Sequence, residues 1–228
     1  MLEDLARPAA LALVDLSEPL LAAAYAHAAE ALPHVELWAL LADLEELSTY
    51  SDLLHVSGRQ RVVVLLGGTL GELEDELRFV RYGLAFCREG DLLVLDVPLS
   101  AGETDEIRWA RQGDAAQRRL DDASAWLTGA LAPHVGGAPM EWTLRLDAGA
   151  GVPGSYAWSA VALVAGDAKA REIELWRRRH YQPAQLRERL AALGWELVAA
   201  CRYGDADTDE LQVYRRQAQP GGRVGGAP

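Results

Sequence analysis

RQRVVVLLGGTLGELEDELRFVRYGLAFCREGDLLVLDVPLS, running from Arg59 to Ser100, reads as strand, glycine turn, helix and second strand without interruption. Arg61 to Leu66 is a short β-branched and leucine run with no alternation, the pattern of a strand buried on both faces of a parallel sheet. Gly67 and Gly68 end it. The spacing of Leu73, Leu77, Val80 and Leu84 predicts a helix whose apolar stripe faces the sheet. Glu72, Glu74, Asp75 and Glu76 stand in its first turn, where carboxylates suit the positive end of the helix dipole. Gly90 and Asp91 turn the chain into a second apolar run, Leu92 to Val97, so the unit is a βαβ crossover of a doubly wound sheet. Ligands of such sheets bind beyond the carboxyl ends of the strands, which marks the loops Gly67 to Glu72 and Asp96 to Ser100 as pocket walls. The two glycines are equally consistent with a tight turn and nothing more.

Working outward, Ala9 to Leu16 and Val35 to Leu41 read as further parallel strands, finished by Asp15 and Asp43. Between them Ser17 caps a helix from Glu18 to Leu32 with Pro19 in its first turn. Its predicted buried stripe is Leu20, Leu21, Ala24, Ala28 and Leu32. Ala101 to Pro139 is charged and helical in composition, a helical insertion. Met140 to Asp147, Ser155 to Val164 and Ala170 to Arg179 alternate as antiparallel strands. Gln182 to Leu193 predicts an amphipathic helix opened by Pro183 and closed by Gly194, and Trp195 to Tyr203 with Asp209 to Arg215 a terminal hairpin. The predicted organisation is a core over 1–100, the insertion over 101–139, completing strands and helix over 140–216 and a disordered tail over 217–228.

With 228 residues, half of them hydrophobic, the chain can build one substantial core with an appendage. A formal charge of −12 and a pI near 4.9 set its average surface against nucleic acid and anionic membrane. Small molecules are the expected partners. No run reaches the ~18 apolar residues of a membrane span, and the N-terminus lacks a signal-peptide pattern, which points to the cytoplasm. Cys87 and Cys201 both fall in apolar or strand-like contexts and are read as buried packing residues of a reducing compartment. No Cys/His spacing suits a metal and no Ser-His-Asp set is legible. The sequence leaves oligomeric state open.

The strand-end acids, the GGTLGELE turn and the DVPLS strand end together form a pattern that holds nucleosides: a carboxylate at one strand end accepts both ribose hydroxyls, and one a strand later accepts an adenine amino group. The alternative is that these aspartates cap the segments that follow them. In VDLSEPLL, Ala42-Asp43-Leu44, VVLLGGTLGELE, GDLLVLDV and the late YQPAQLRERLAALGWE, from about Ala9 to Arg215, the chain resembles the histidine-specific methyltransferases of ergothioneine synthesis. These are S-adenosylmethionine-dependent enzymes with a Rossmann-like fold. The resemblance implies that Asp15 binds the ribose, that Asp43 and Leu44 bind the adenine, and that Gly67 lines the methionine portion.

Three departures shape what it implies. The family's first strand and glycine-rich loop have no counterpart among the fourteen residues before Asp15, so either the sequence belongs to a longer one, or its strands pair differently, or it no longer binds cofactor; as it stands, binding is expected to be weak or lost. The family's asparagine in the glycine turn is Glu72 here, and its late Glu-x-Ser pair aligns with Trp176 and Arg178, an indole and a guanidinium that cannot hold histidine's amine and imidazole. Those three residues are the substrate-binding candidates, suited to an aromatic or bulky zwitterion; Glu72 is also readable as a surface residue at a helix start. The insertion, at about forty residues, is shorter than the family's and offers no substrate-contacting tyrosine. His180 is read as reaching the pocket mouth or as simply solvated. The expected function is N-methylation of a small amine or amino-acid-like substrate other than histidine, with no dedicated catalytic side chain assigned. The alternative is a non-catalytic methyltransferase-like binding protein.

Overall fold

The computed structural model describes residues 10–54, 58–100, 113, 117–118, 120–122, 124–125, 127–129, 131–148, 151–165, 171–204 and 208–218. The chain gathers into two compact units, Met1–Arg59 with Arg78–Cys87, and Gln60–Leu77 with Arg88–Pro228. The predicted N-terminal lead, most of the tail and the first part of the insertion lie outside the described residues; those described between 113 and 131 are helical.

In the first unit β1 (Ala10–Asp15) and β2 (Glu36–Leu41) pair in parallel, from Ala10 opposite Glu36 to Asp15 opposite Leu41. α1 (Glu18–Ala31) connects them and packs on both. Ser17 is its N-cap, with its hydroxyl accepting from the Leu20 N–H at 3.5 Å. Only Leu21 and Ala28 of the predicted stripe are buried; Leu20 is exposed. A short 3-10 helix, Leu44–Tyr50, buries Leu47 and packs against the Phe79–Gly83 turn, where Phe79 and Val80 are also buried.

In the second unit β3 (Val62–Leu65) and β4 (Leu92–Pro98) are parallel neighbours, Val62 opposite Leu92 through Leu65 opposite Leu95. β9 (Asp209–Arg216) runs antiparallel on the far side of β4, and β8 (Trp195–Tyr203) antiparallel to β9, giving the order β3-β4-β9-β8. Leu93, Leu95, Val97, Gln212 and Tyr214 share one face of this sheet and are completely buried. β5 (Met140–Ala148), β6 (Tyr156–Val164) and β7 (Arg171–His180) make a separate antiparallel sheet. Backbone bonds join the ends of β4 and β7: Tyr181 N–H to the Pro98 carbonyl at 2.9 Å and Ser100 N–H to the Tyr181 carbonyl at 2.7 Å. α2 (Pro183–Ala192) packs on β8 through Leu186 and Leu190. The parallel pair and the later antiparallel strands follow the sequence reading, and the chain is a mixed α/β protein.

Four local expectations are corrected. The four parallel strands do not share one hydrogen-bonded sheet but form two separate pairs. β3 is buried on one face only, because Val62, Val64 and Leu66 stay exposed while Leu65 is buried. The helix predicted from Glu72 to Leu84 is broken into a 3-10 turn, Thr69–Glu72, a single α turn, Glu76–Arg78, and a π turn, Phe79–Gly83. Tertiary contacts override helical periodicity there: Gly71 lies against the Arg179 backbone, and the Glu76 carboxylate is drawn into a buried ion pair with Arg179. Cys87 is buried as expected, whereas Cys201, near the end of β8, is exposed.

Candidate functional site

Asp15 closes β1, and its Oδ1 accepts the Ser17 N–H at 2.7 Å; Asp43 follows β2, and its Oδ1 accepts the Glu45 N–H at 2.8 Å. Both acids therefore organise the turn that leaves their strand, as the capping alternative requires. Each keeps a second carboxylate oxygen with no hydrogen bond among the described residues, so capping and ligand binding do not exclude each other. Leu44 is half-buried beside Asp43.

In the second unit Gly67 and Gly68 turn the chain at the carboxyl end of β3 with φ of 71° and 83°. A Cβ at 68 would sit in ordinary contact with the Pro98 ring, 3.4 Å away, so it is the left-handed backbone that makes this turn need glycine. The Gly67 N–H donates to Asp96 Oδ2 at 2.8 Å, and the Tyr203 hydroxyl donates to Asp96 Oδ1. Asp96 thus sits at the carboxyl end of β4, held from both oxygens by the ends of β3 and β8. Partial desolvation and then the bond to Asp96 push the Tyr203 phenol above its ordinary range.

Trp176, Arg178 and His180 alternate along β7 and so share one face, opposite Ala160, Trp158 and Tyr156 of β6. Trp176 is exposed. Arg178 is half-buried and already paired with Asp209 at 3.3 Å. His180 stacks on Tyr156 with ring centroids 4.8 Å apart, and burial, reinforced by the Arg178 charge, lowers its pKa to about 4. It is a neutral imidazole near pH 7. Glu72 ends the Thr69–Glu72 turn, which packs on β7, but its side chain is exposed and makes no hydrogen bond or ion pair among the described residues. The structure thus brings Trp176 and Arg178 onto one face, and among the described residues Glu72 makes no hydrogen bond or ion pair with Arg178.

Sequence reasoning placed Asp96 only as the start of a pocket-wall loop, without a role of its own, and passed over Tyr203 and Asp209 as site residues. The signal that singled out Asp15 and Asp43, an acid at the carboxyl end of a parallel strand, also marks Asp96. Nothing local marks Tyr203, whose role arises only when the terminal hairpin folds onto β4. Among the described residues no three His, Cys, Asp or Glu side chains are grouped to hold a metal ion, and no helix is long and apolar enough to cross a membrane.

No protein-family model matches the chain, and no curated protein matches it. Solved structures do. An S-adenosylmethionine-dependent methyltransferase from Clostridium acetobutylicum ATCC 824 is 8% identical with a TM-score of 0.47, over 92% of this chain and 76% of that one. The CcbJ methyltransferase from Streptomyces caelestis is 18% identical with a TM-score of 0.47, over 91% and 79%. The 1,6-didemethyltoxoflavin-N1-methyltransferase of Burkholderia thailandensis, bound to 1,6-didemethyltoxoflavin and S-adenosylhomocysteine, is 13% identical with a TM-score of 0.46, over 95% and 64%. Likeness of this size assigns no role to any residue.

Proposed function

We propose that the chain is an S-adenosylmethionine-dependent methyltransferase acting on the nitrogen of a small amine or amino-acid-like substrate other than histidine. The observation that carries this reading is the pattern of strand pairing. In the doubly wound order 3-2-1-4-5-6, strands 2 and 3 pair with each other and strands 4 and 5 pair with each other, and only strand 1 bonds to both pairs. β1 with β2 and β3 with β4 are two parallel pairs of this kind. Each is a parallel pair of the kind that such an order contains twice, as strands 2 and 3 and as strands 4 and 5.

The donor set suits a nucleoside. On the sequence resemblance Asp15 is assigned to the ribose hydroxyls, Asp43 and Leu44 to the adenine and Gly67 to the methionine portion; for the two acids, an open carboxylate oxygen that can accept hydroxyl and amino hydrogens supports it. S-adenosylmethionine, when bound, supplies an electrophilic methyl group. The chain's own part is to hold a neutral acceptor nitrogen in line with it, to exclude water and to let the acceptor's proton leave, a task of positioning more than of acid or base chemistry. Trp176 gives a flat apolar wall and Arg178, with Asp209 beside it, a polar boundary.

Calorimetric titration with S-adenosylhomocysteine, with thermal shift at millimolar ligand, tests the reading. Weak but saturable binding is expected, since no glycine-rich loop follows β1 or β2 to supply backbone donors. A raised Tm that Asp15→Ala abolishes supports the assignment. Neither heat nor shift, in the wild-type chain, would leave a methyltransferase-like fold that serves as a binding module instead.

A further inference from the structure

Asp96 is a strand-end acid of the second unit whose two carboxylate oxygens are both oriented by other elements, Oδ2 by the Gly67 N–H and Oδ1 by the Tyr203 hydroxyl. It is half-buried, so solvent still reaches it, and among the described residues no lysine or arginine pairs with it. Arg178, whose charge like that of Asp96 acts on Tyr203, is paired with Asp209. Each carboxylate oxygen carries two lone-pair directions, so two acceptor sites stay open after both bonds are made. We propose that Asp96, fixed in this way, binds the acceptor's amine as it arrives in its ammonium form, that the amine gives one proton to the solvent that reaches this half-buried site before its freed lone pair takes the methyl group, and that Tyr203 is the positioning residue of Asp96. The proposal rests on the methyltransferase reading and replaces Glu72 as the amine contact.

Charge and geometry agree. Asp96, Asp209 and Arg178 sum to one negative charge, and His180 and Tyr203 are both uncharged near neutral pH. The cluster therefore complements one cation. A primary or secondary ammonium suits it, because its hydrogens are directional donors that two open lone pairs can accept, whereas Glu72 offers an unconstrained carboxylate in solvent. A carboxylate held by fixed donors loses little orientational freedom when the ligand arrives. Its place at the carboxyl end of β4 is where doubly wound sheets bind their ligands.

The test uses three probes of one shape, phenethylamine, 2-phenylethanol and 3-phenylpropionate, titrated into the full chain and followed by calorimetry and by the Gly67 amide resonance. Phenethylamine is expected to bind better than the other two and to shift the Gly67 amide. Asp96→Asn, which keeps an acceptor for Gly67 and a partner for Tyr203, is expected to weaken phenethylamine by about tenfold or more, the size of a lost hydrogen bond to charge, and to leave 2-phenylethanol unchanged. Unchanged phenethylamine affinity in Asp96→Asn would overturn the proposal, as would loss of binding on Glu72→Gln instead. Should Asp96→Asn not fold, an unmoved Gly67 amide in the wild-type chain overturns it by itself. Amine binding that depends on Asp96 without any S-adenosylhomocysteine binding would sink the methyltransferase reading alone; the reverse result would sink only the role of Asp96.

Discussion

His180 is held neutral in a place where an unfolded chain would protonate it, and this gives stability a pH dependence of known sign. Its pKa falls from 6.5 to about 4 on folding through burial and then the Arg178 charge. Above the unfolded value His180 is neutral in both states and adds no slope. As pH falls from 6.5 toward 4, unfolding takes up a proton that folding cannot, so stability declines by about 3 kcal/mol and then levels. Urea midpoints at pH 7 and pH 4.5 should show the fall, and His180→Phe, which keeps a ring to stack on Tyr156, should flatten much of it. An equal fall in the variant would place the pH dependence on other groups. The sequence showed His180 only as a histidine at the end of an arginine-rich strand. Its neutrality comes from Tyr156 and Arg178 closing over it, which no local pattern encodes, whereas the acids at Asp15, Asp43 and Asp96 are legible because strand-end position is itself a sequence feature.

Elements were readable where one period ran uninterrupted and unreadable where a distant partner interfered. β5 to β9, α1 and α2 follow their alternation and their proline and glycine stops closely. The segment after Gly68 does not, because Glu76 turns inward to pair with Arg179 of β7 while its Oε1 also accepts the Val152 N–H at 3.3 Å. Burial raises the Glu76 pKa, and the Arg179 charge opposes that rise. Both side chains are almost fully enclosed, so removing one leaves a buried, uncompensated charge, a change that costs about 3–5 kcal/mol. Arg179→Met is expected to destabilise by that order in urea unfolding. Glu76→Gln placed on top should recover much of the loss, because the charge left behind is then gone. A double variant no more stable than Arg179→Met would show that the arginine acts by packing, not by its charge.

At the scale of the molecule, the strand–helix–strand pattern of Arg59 to Ser100 made the mixed α/β class legible, but pairing between strands far apart in the chain could not be read from either strand alone. The two units differ in how their parallel pairs are supported. β4 lies between β3 and β9, and Leu93, Leu95 and Val97 are fully buried. Among the described residues β1 and β2 bond only to each other, and their side chains are half-buried or exposed, with Trp38 and Leu41 well exposed. A two-stranded sheet is marginal by itself, and local opening follows the density of buried apolar contacts. Hydrogen exchange followed by mass spectrometry is therefore expected to protect Leu92 to Val97 and Leu211 to Arg215 longest, and to release Ala10 to Asp15 and Glu36 to Leu41 earlier by about tenfold or more, a gap of at least one or two kcal/mol in opening energy. Because a ligand stabilises only the closed form it binds, S-adenosylhomocysteine at saturating concentration should slow exchange around Asp15 and Asp43 before it affects β4. Equal protection of both pairs without ligand would contradict the contact argument, and slowing confined to β8 and β9 would move the nucleoside away from the strand-end acids.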